Sequence, residues 1–209
     1  MNIVRLKKLI KNHFENGFTF YFILFFVFLI GIVSGALIVK GFNLKIQIGV
    51  LKYSSSYFYS VFNGSSHNSD VFSASLKFNL IFVVVTYIIG LLNLGFIAPL
   101  LVLIKGGLLG FNVGYLIYNF GLKGFIVSVL GLYPQYLLFI PCIIAIAAVV
   151  MTMSYKNKLS ANRRAVRIKR MNLLDYTVFM MFFTCIMLIG SVYEGYVSPI
   201  FLNLINELL

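Results

Sequence analysis

The sequence predicts an all-α, polytopic transmembrane helix bundle of about five spans, and three observations carry that prediction. Hydrophobic residues make up 61% of the 209 positions and charged residues only 11%, where a soluble domain carries roughly 25% charged residues. A small soluble domain buries only part of its surface and could not hide this much apolar area, whereas lipid accepts it. Charge-free apolar runs recur along the chain, each long enough to cross about 30 Å of hydrocarbon at about 1.5 Å of rise per residue.

The first run covers about 18–39 and follows Arg5, Lys7, Lys8 and Lys11. It exceeds the apolar region of a signal peptide, about 7–15 residues, so an uncleaved anchor is expected. A polar interval, 40–77, comes next. Within it Leu44, Ile48, Leu51, Phe58 and Phe62 recur near helical spacing, with Lys45, Lys52, Ser56 and Asn63 on the other side. That pattern predicts an amphipathic helix on the membrane surface or against the bundle, followed by a turn at 63–70.

The run 78–104 is too long for one span. Asn93, Gly95 and Pro99, with Gly90, should break it, giving span two at about 77–98 and span three at about 100–121, with Lys105 near its start. A re-entrant segment here would need its carbonyls buried in protein. Pro134 and Pro141 complicate the next entry, so span four is placed at about 136–154 after a surface approach over 124–133. A basic loop, 156–175, contains KNKLSANRRAVRIKR, and span five covers about 176–199. The whole chain, 1–209, reads as one integral membrane domain.

Positive charge sets orientation, because it concentrates on the cytoplasmic side. With the N-terminus inside, the inner segments hold four basic residues before span one, Lys105, and seven in 156–175. The outer segments hold Lys40, Lys45, Lys52, Lys77 and Lys123. The expected topology therefore has a cytoplasmic N-terminus, an external 40–77 loop, a cytoplasmic basic loop and an external C-terminus. Treating spans two and three as a single dip would put the seven-charge loop outside, against that rule.

The same basic residues explain the formal charge of +12 as topology and anionic-lipid signals. No nucleic-acid-binding motif accompanies them, so nucleic acid is not an expected partner. Cys142 and Cys185 lie in apolar runs and are expected as buried thiols, with neither a disulfide framework nor a metal site. His13 and His67 are isolated. No HExxH, GxSxG or Walker A sequence, acidic metal cluster or glycosidase-type carboxylate pair is present. No enzyme activity, cofactor or metal is expected.

Two glycine patterns suggest close helix packing: Gly31 and Gly35 in span one, and Gly106, Gly110 and Gly114 in span three. Spacing by four puts each set on one helix face, where another backbone can approach, within the chain or from a partner, a second copy included. Glu194 is the only acidic residue well inside an apolar run, with Gly190 and Ser198 on its face at i−4 and i+4. An intramembrane carboxylate points by default to pairing or function, so Glu194 is a candidate for structural or partner contact. Asn112 and Gln135, with Asn93 and Asn119, are polar groups expected to hydrogen-bond between helices.

GLLNLGFIAPLLVLIKGGLLGFNVGYL (90–116), YPQYLLFIP (133–141) and YEGYVSP (193–199) follow one another along the chain, and in that order and spacing they resemble the stage II sporulation protein M family. The first is similar to the family's Asn-Gly break and its GLLLGF-type helix. The second is similar to its paired-proline segment, and the third to its Glu-aromatic-Pro ending. Broader relatives often carry a His and a Glu between those prolines. Gln135 and Phe139 stand there in this chain, so the resemblance implies no ionisable pair. What it does imply is a non-catalytic scaffold in the sporulation septum or mother-cell membrane. That scaffold would assemble a peptidoglycan-degrading complex with stage II sporulation proteins D and P, for septal thinning and engulfment during endospore formation. The competing reading is a permease or channel subunit, motivated by the helix break at 93–99, Gln135 and Glu194, since discontinuous helices can build midplane sites.

Overall fold

The computed structural model describes residues 3–54, 68–161 and 173–197. Among them the chain is helical, without strands. The helices are α1 (Ile3–Ile38), α2 (Leu44–Ser54), α3 (Asn68–Leu91), α4 (Ala98–Val127), α5 (Tyr133–Ala161) and α6 (Leu173–Val192). Five stretches are long and apolar enough to cross a membrane: Gly17–Gly41, Phe72–Leu91, Gly95–Gly131, Tyr133–Leu159 and Leu173–Val197. The chain is a multi-pass membrane protein.

Helix α5 is the hub. Every residue from Cys142 to Val150 is buried, and the helix packs against α1, α3, α4 and α6. Ala145, Ala147 and Ala148 keep it slim enough for four neighbours to close around it. Pro141 faces outward within this helix. By contrast α1 leaves Phe18, Phe22, Phe26, Ile30, Val33 and Leu37 exposed, an apolar stripe that suits lipid.

The glycines of α1 and α4 face each other, with the two helices parallel. Gly106 meets the Phe28 carbonyl, Gly110 the Ile32 backbone and Gly114 Ala36; in return Gly31 meets the Leu103 carbonyl and Gly35 the Gly107 backbone. A Cβ on Gly31 would lie 2.5 Å from that carbonyl oxygen. Side-chain-free backbones therefore make this contact, and both glycine faces are filled from within the chain.

The break between spans two and three falls earlier than 98. Helix α3 ends at Leu91 with a Schellman motif, in which the Asn93 N–H bonds the Gly90 carbonyl and the Leu94 N–H the Ile89 carbonyl, both at 3.0 Å. Asn93 takes φ 57°, a left-handed conformation that Asn tolerates better than branched residues. A 3₁₀ turn, Gly95–Ile97, leads into α4, where Pro99 occupies the first turn. Pro99 thus opens the third span, because a missing N–H costs nothing in a helix's first turn.

Span three is longer than 100–121 and ends in a fold-back. Gly121 leaves the helix at φ 59°, ψ −133°. Gly124 then lies against the Leu116 carbonyl, eight positions back, a contact impossible in a continuous helix. The expected surface approach over 124–133 is therefore helical: 122–127 doubles back along α4, a π-helical turn spans Ser128–Leu132, and α5 begins at Tyr133, before 136. Pro134 sits in its first turn.

The amphipathic loop helix corresponds to α2, while Phe58 and Phe62 lie outside the described residues. Gln47, buried, donates 2.9 Å bonds to the Val39 and Phe42 carbonyls at the end of α1. The Val39 carbonyl also accepts the Phe42 N–H at 3.2 Å, and the glutamine ties α2 across the end of α1. Cys142 is buried, but Cys185 is exposed on α6. An apolar run does not reveal which of its faces meets lipid.

Candidate functional site

Where α3, α4, α5 and α6 converge, an otherwise apolar interior holds a polar cluster. Helix α3 supplies Ser75 and Asn79, one turn apart on its inner face. Helix α6 supplies Ser191, and the π-helical turn that follows it, Tyr193–Val197, supplies Glu194. Helix α4 supplies Lys105 and Asn112, and α5 supplies Gln135 and Tyr136. Most of these side chains are buried: Asn112, Gln135 and Ser191 at 0% exposure, Ser75 at 6%, Glu194 at 7% and Asn79 at 8%.

The hydrogen bonds form a relay. The Ser75 hydroxyl donates to Glu194 Oε2 at 2.5 Å. Asn79 Nδ2 donates to Ser191 Oγ at 3.2 Å and lies 3.4 Å from Ser75 Oγ. Asn79 Oδ1 accepts from Lys105 Nζ at 3.1 Å. The ammonium also sits 3.8 Å from the centre of the Phe78 ring and 5.0 Å from that of Phe82, so aromatic faces supply part of its solvation. Two opposite formal charges, Lys105 and Glu194, are thus joined through neutral Asn79 and Ser75. In a medium without water, charged side chains persist when they pair or bond in this way.

The π turn positions the carboxylate. An extra residue per turn changes the phase of the helix end, so Glu194 and Gly195 face inward together. Gly195 packs on Phe72, where a Cβ would lie 2.6 Å from the Phe72 Cβ. Ser198, expected on the Glu194 face, lies outside the described residues. Gly190 meets the Phe139 ring, 2.6 Å from where a Cβ would stand. Phe139 therefore packs helix against helix at this position.

A cavity of about 30 Å³ adjoins the relay, lined by Ser75, Asn79, Lys105, Tyr136 and Glu194 together with Phe139 and Ile143. That is room for a water or two. The Tyr136 hydroxyl hydrogen-bonds Asn112. Both amide atoms of Gln135 are buried without a partner among the described residues, so Gln135 stands beside the relay and not within it. Asn119 bonds the Tyr115 carbonyl in its own helix at 2.9 Å.

A second polar knot holds the 92–97 turn. The Ser154 hydroxyl donates to the Asn93 carbonyl at 2.5 Å and accepts from the Gly95 N–H at 3.1 Å. Asn157 Nδ2 donates to Asn93 Oδ1 at 2.7 Å. Asn93, Gly95 and Pro99 thus form a tight connection clamped to α5 and no re-entrant loop.

Lys105 corrects its expected place. It lies about 15 Å of helix beyond Gly95, near mid-bilayer, and not in a loop where it could report topology. Removing it leaves eleven inner against five outer basic residues, so the bias is kept. Ser75, Asn79 and Ser191 were absent from the sequence candidates. Their signal was the four-residue Ser75–Asn79 spacing, hidden because span two was started at 77, whereas its apolar helix begins at Phe72. Among the described residues no three His, Cys, Asp or Glu side chains converge.

The family model for Stage II sporulation protein M matches residues 24–199, from inside span one to past Glu194. The chain belongs to that family and is a sporulation-related membrane protein. No curated protein and no solved structure matches it.

Proposed function

We propose that this member of the Stage II sporulation protein M family is a non-catalytic membrane scaffold. It holds the peptidoglycan-degrading stage II sporulation proteins D and P at the sporulation septum, for septal thinning and engulfment. The observation that carries the reading is the family match over 24–199. The geometry is compatible with it. The intramembrane charges of Lys105 and Glu194 are joined to each other through Asn79 and Ser75, which suits a rigid platform. In this reading the N-terminus and the 156–175 loop are cytoplasmic, while α2 and the C-terminus face the cell wall.

A permease or channel subunit would draw on the same cluster. Its polar cavity of about 30 Å³ has room for water. The groove of about 220 Å³ beside Lys105 is lined by apolar Phe78, Ile81, Phe82 and Val85. Neither offers a polar solute path among the described residues, which favours the scaffold. Deletion of the gene followed by fluorescence microscopy of sporulating cells tests the reading. Arrest at septal thinning or engulfment is expected. Normal engulfment would overturn it.

A further inference from the structure

Parallel packing of α1 and α4 puts their C-terminal ends at the same membrane face, and each end is followed by a helical segment that turns back into the bilayer. After α1 comes α2, whose Val50 lines a groove with Ser34, Gly35 and Phe111 and packs on the cluster of Val39, Phe111, Tyr115 and Leu116. After the Gly121 break in α4 comes 122–132, whose Gly124 lies against Leu116 and whose Val127 packs on the same cluster. Both segments therefore lie at the depth of the last turns of α1 and α4, inside one leaflet.

Their outward sides are largely apolar. Leu44, Ile46 and Ile48 on α2 are exposed, as are Leu122, Phe125, Ile126, Val129 and Leu130 on the fold-back; Leu122 reaches 83% exposure. Lys45 on α2, Lys40 just before it and Lys123 on the fold-back are also exposed. Apolar side chains continuous with lipid-facing spans, bordered by lysines, match the boundary between acyl chains and headgroups. Running back beside the spans, each segment adds the cross-section of one helix, roughly 80 Å² at about 10 Å diameter. The two segments together add roughly 160 Å² to one leaflet, against roughly 400 Å² for five upright helices.

We propose that α2 and the 122–132 fold-back form a wedge in a single leaflet, so that the protein favours membrane curved with that leaflet on the convex side. The occupant of this surface is lipid, and the second function is curvature preference, independent of any hydrolase partner. A segment confined to one leaflet displaces lipid there and none from the opposite leaflet, which is why such insertions respond to curvature.

The test uses the purified full chain with Lys45→Cys as a probe in a Cys185→Ser background, reconstituted into small and large vesicles of phosphatidylethanolamine and phosphatidylglycerol. A membrane-impermeant maleimide reports the ratio of molecules with the wedge outside to those with it inside. That ratio is expected to rise several-fold from large to small vesicles. The same ratio at both sizes would overturn the proposal. Adding Ile46→Ser and Leu122→Ser, with unchanged gel-filtration elution as proof of folding, should flatten the size dependence. A folded variant that keeps the full dependence would equally overturn it. If that variant does not fold, the unsubstituted wedge still decides through the first comparison.

Discussion

Ser75 on α3 donates its hydroxyl proton to Glu194 Oε2 at 2.5 Å, across 119 positions of sequence. The bond fixes the turn after α6 to the start of α3, and Asn79 extends the tie to Lys105 on α4. Three spans that are not all neighbours in sequence are thereby held in one register.

Removing the hydroxyl should leave the carboxylate short of a protein donor in a site with room for only a water or two. Ser75→Ala is expected to lower stability by about 1 kcal/mol, and a Ser75→Ala/Glu194→Gln cycle to show coupling of about 0.5 kcal/mol or more. Thermal unfolding in mild detergent reads both. Strictly additive effects would mean the relay is incidental to the bundle.

At the α1–α4 contact, two neighbouring glycines should behave oppositely. Gly110→Val drives a side chain into the Ile32 backbone and should cost about 1–3 kcal/mol or more. Gly107→Ala has room, since the nearest atom stands 3.7 Å from the new Cβ, and should change the melting temperature little. Equal effects from the two would mean the helices do not pack on this face.

Asn93 joins a backbone need to a side-chain need. Asn93→Val should cost about 1–2 kcal/mol for the left-handed conformation alone, plus the bond from Asn157. Asn93→Gly should lose only the latter. Unfolding of the two variants side by side checks the order; a glycine variant as damaged as the valine one would contradict it.

Much of the fold was legible because apolar runs and glycine spacing act locally. A run either is long enough to span or is not, and Gly106, Gly110 and Gly114 share a face whatever lies opposite. What lies opposite is a tertiary fact, and the match of that face to Gly31 and Gly35 emerged only with the parallel packing of α1 and α4. Pro99 signalled a break, but proline both follows helices and opens them, so the break was set several residues late. Lys105 resembled a loop charge, as a lone lysine near the end of an apolar run does. Its half-buried place depends on Asn79 and Phe78 from another helix. Glu194 stood out alone, yet its partners did not, since serine and asparagine are unremarkable until a carboxylate meets them.

Orientation can be checked in cells. In a background with Cys142→Ala and Cys185→Ser, Lys123→Cys should react with an impermeant maleimide in intact protoplasts. Lys158→Cys should react only after permeabilisation. The reverse pattern would invert the bundle and turn the α2 end toward the cytoplasm.

The most direct test of the scaffold is affinity purification of a functional tagged protein from sporulating membranes, with mass spectrometry of what co-purifies. The account predicts recovery of stage II sporulation proteins D and P, well above an unrelated membrane protein tagged in the same way. Persistent absence of both, from cells in which the tagged protein supports sporulation, would contradict it.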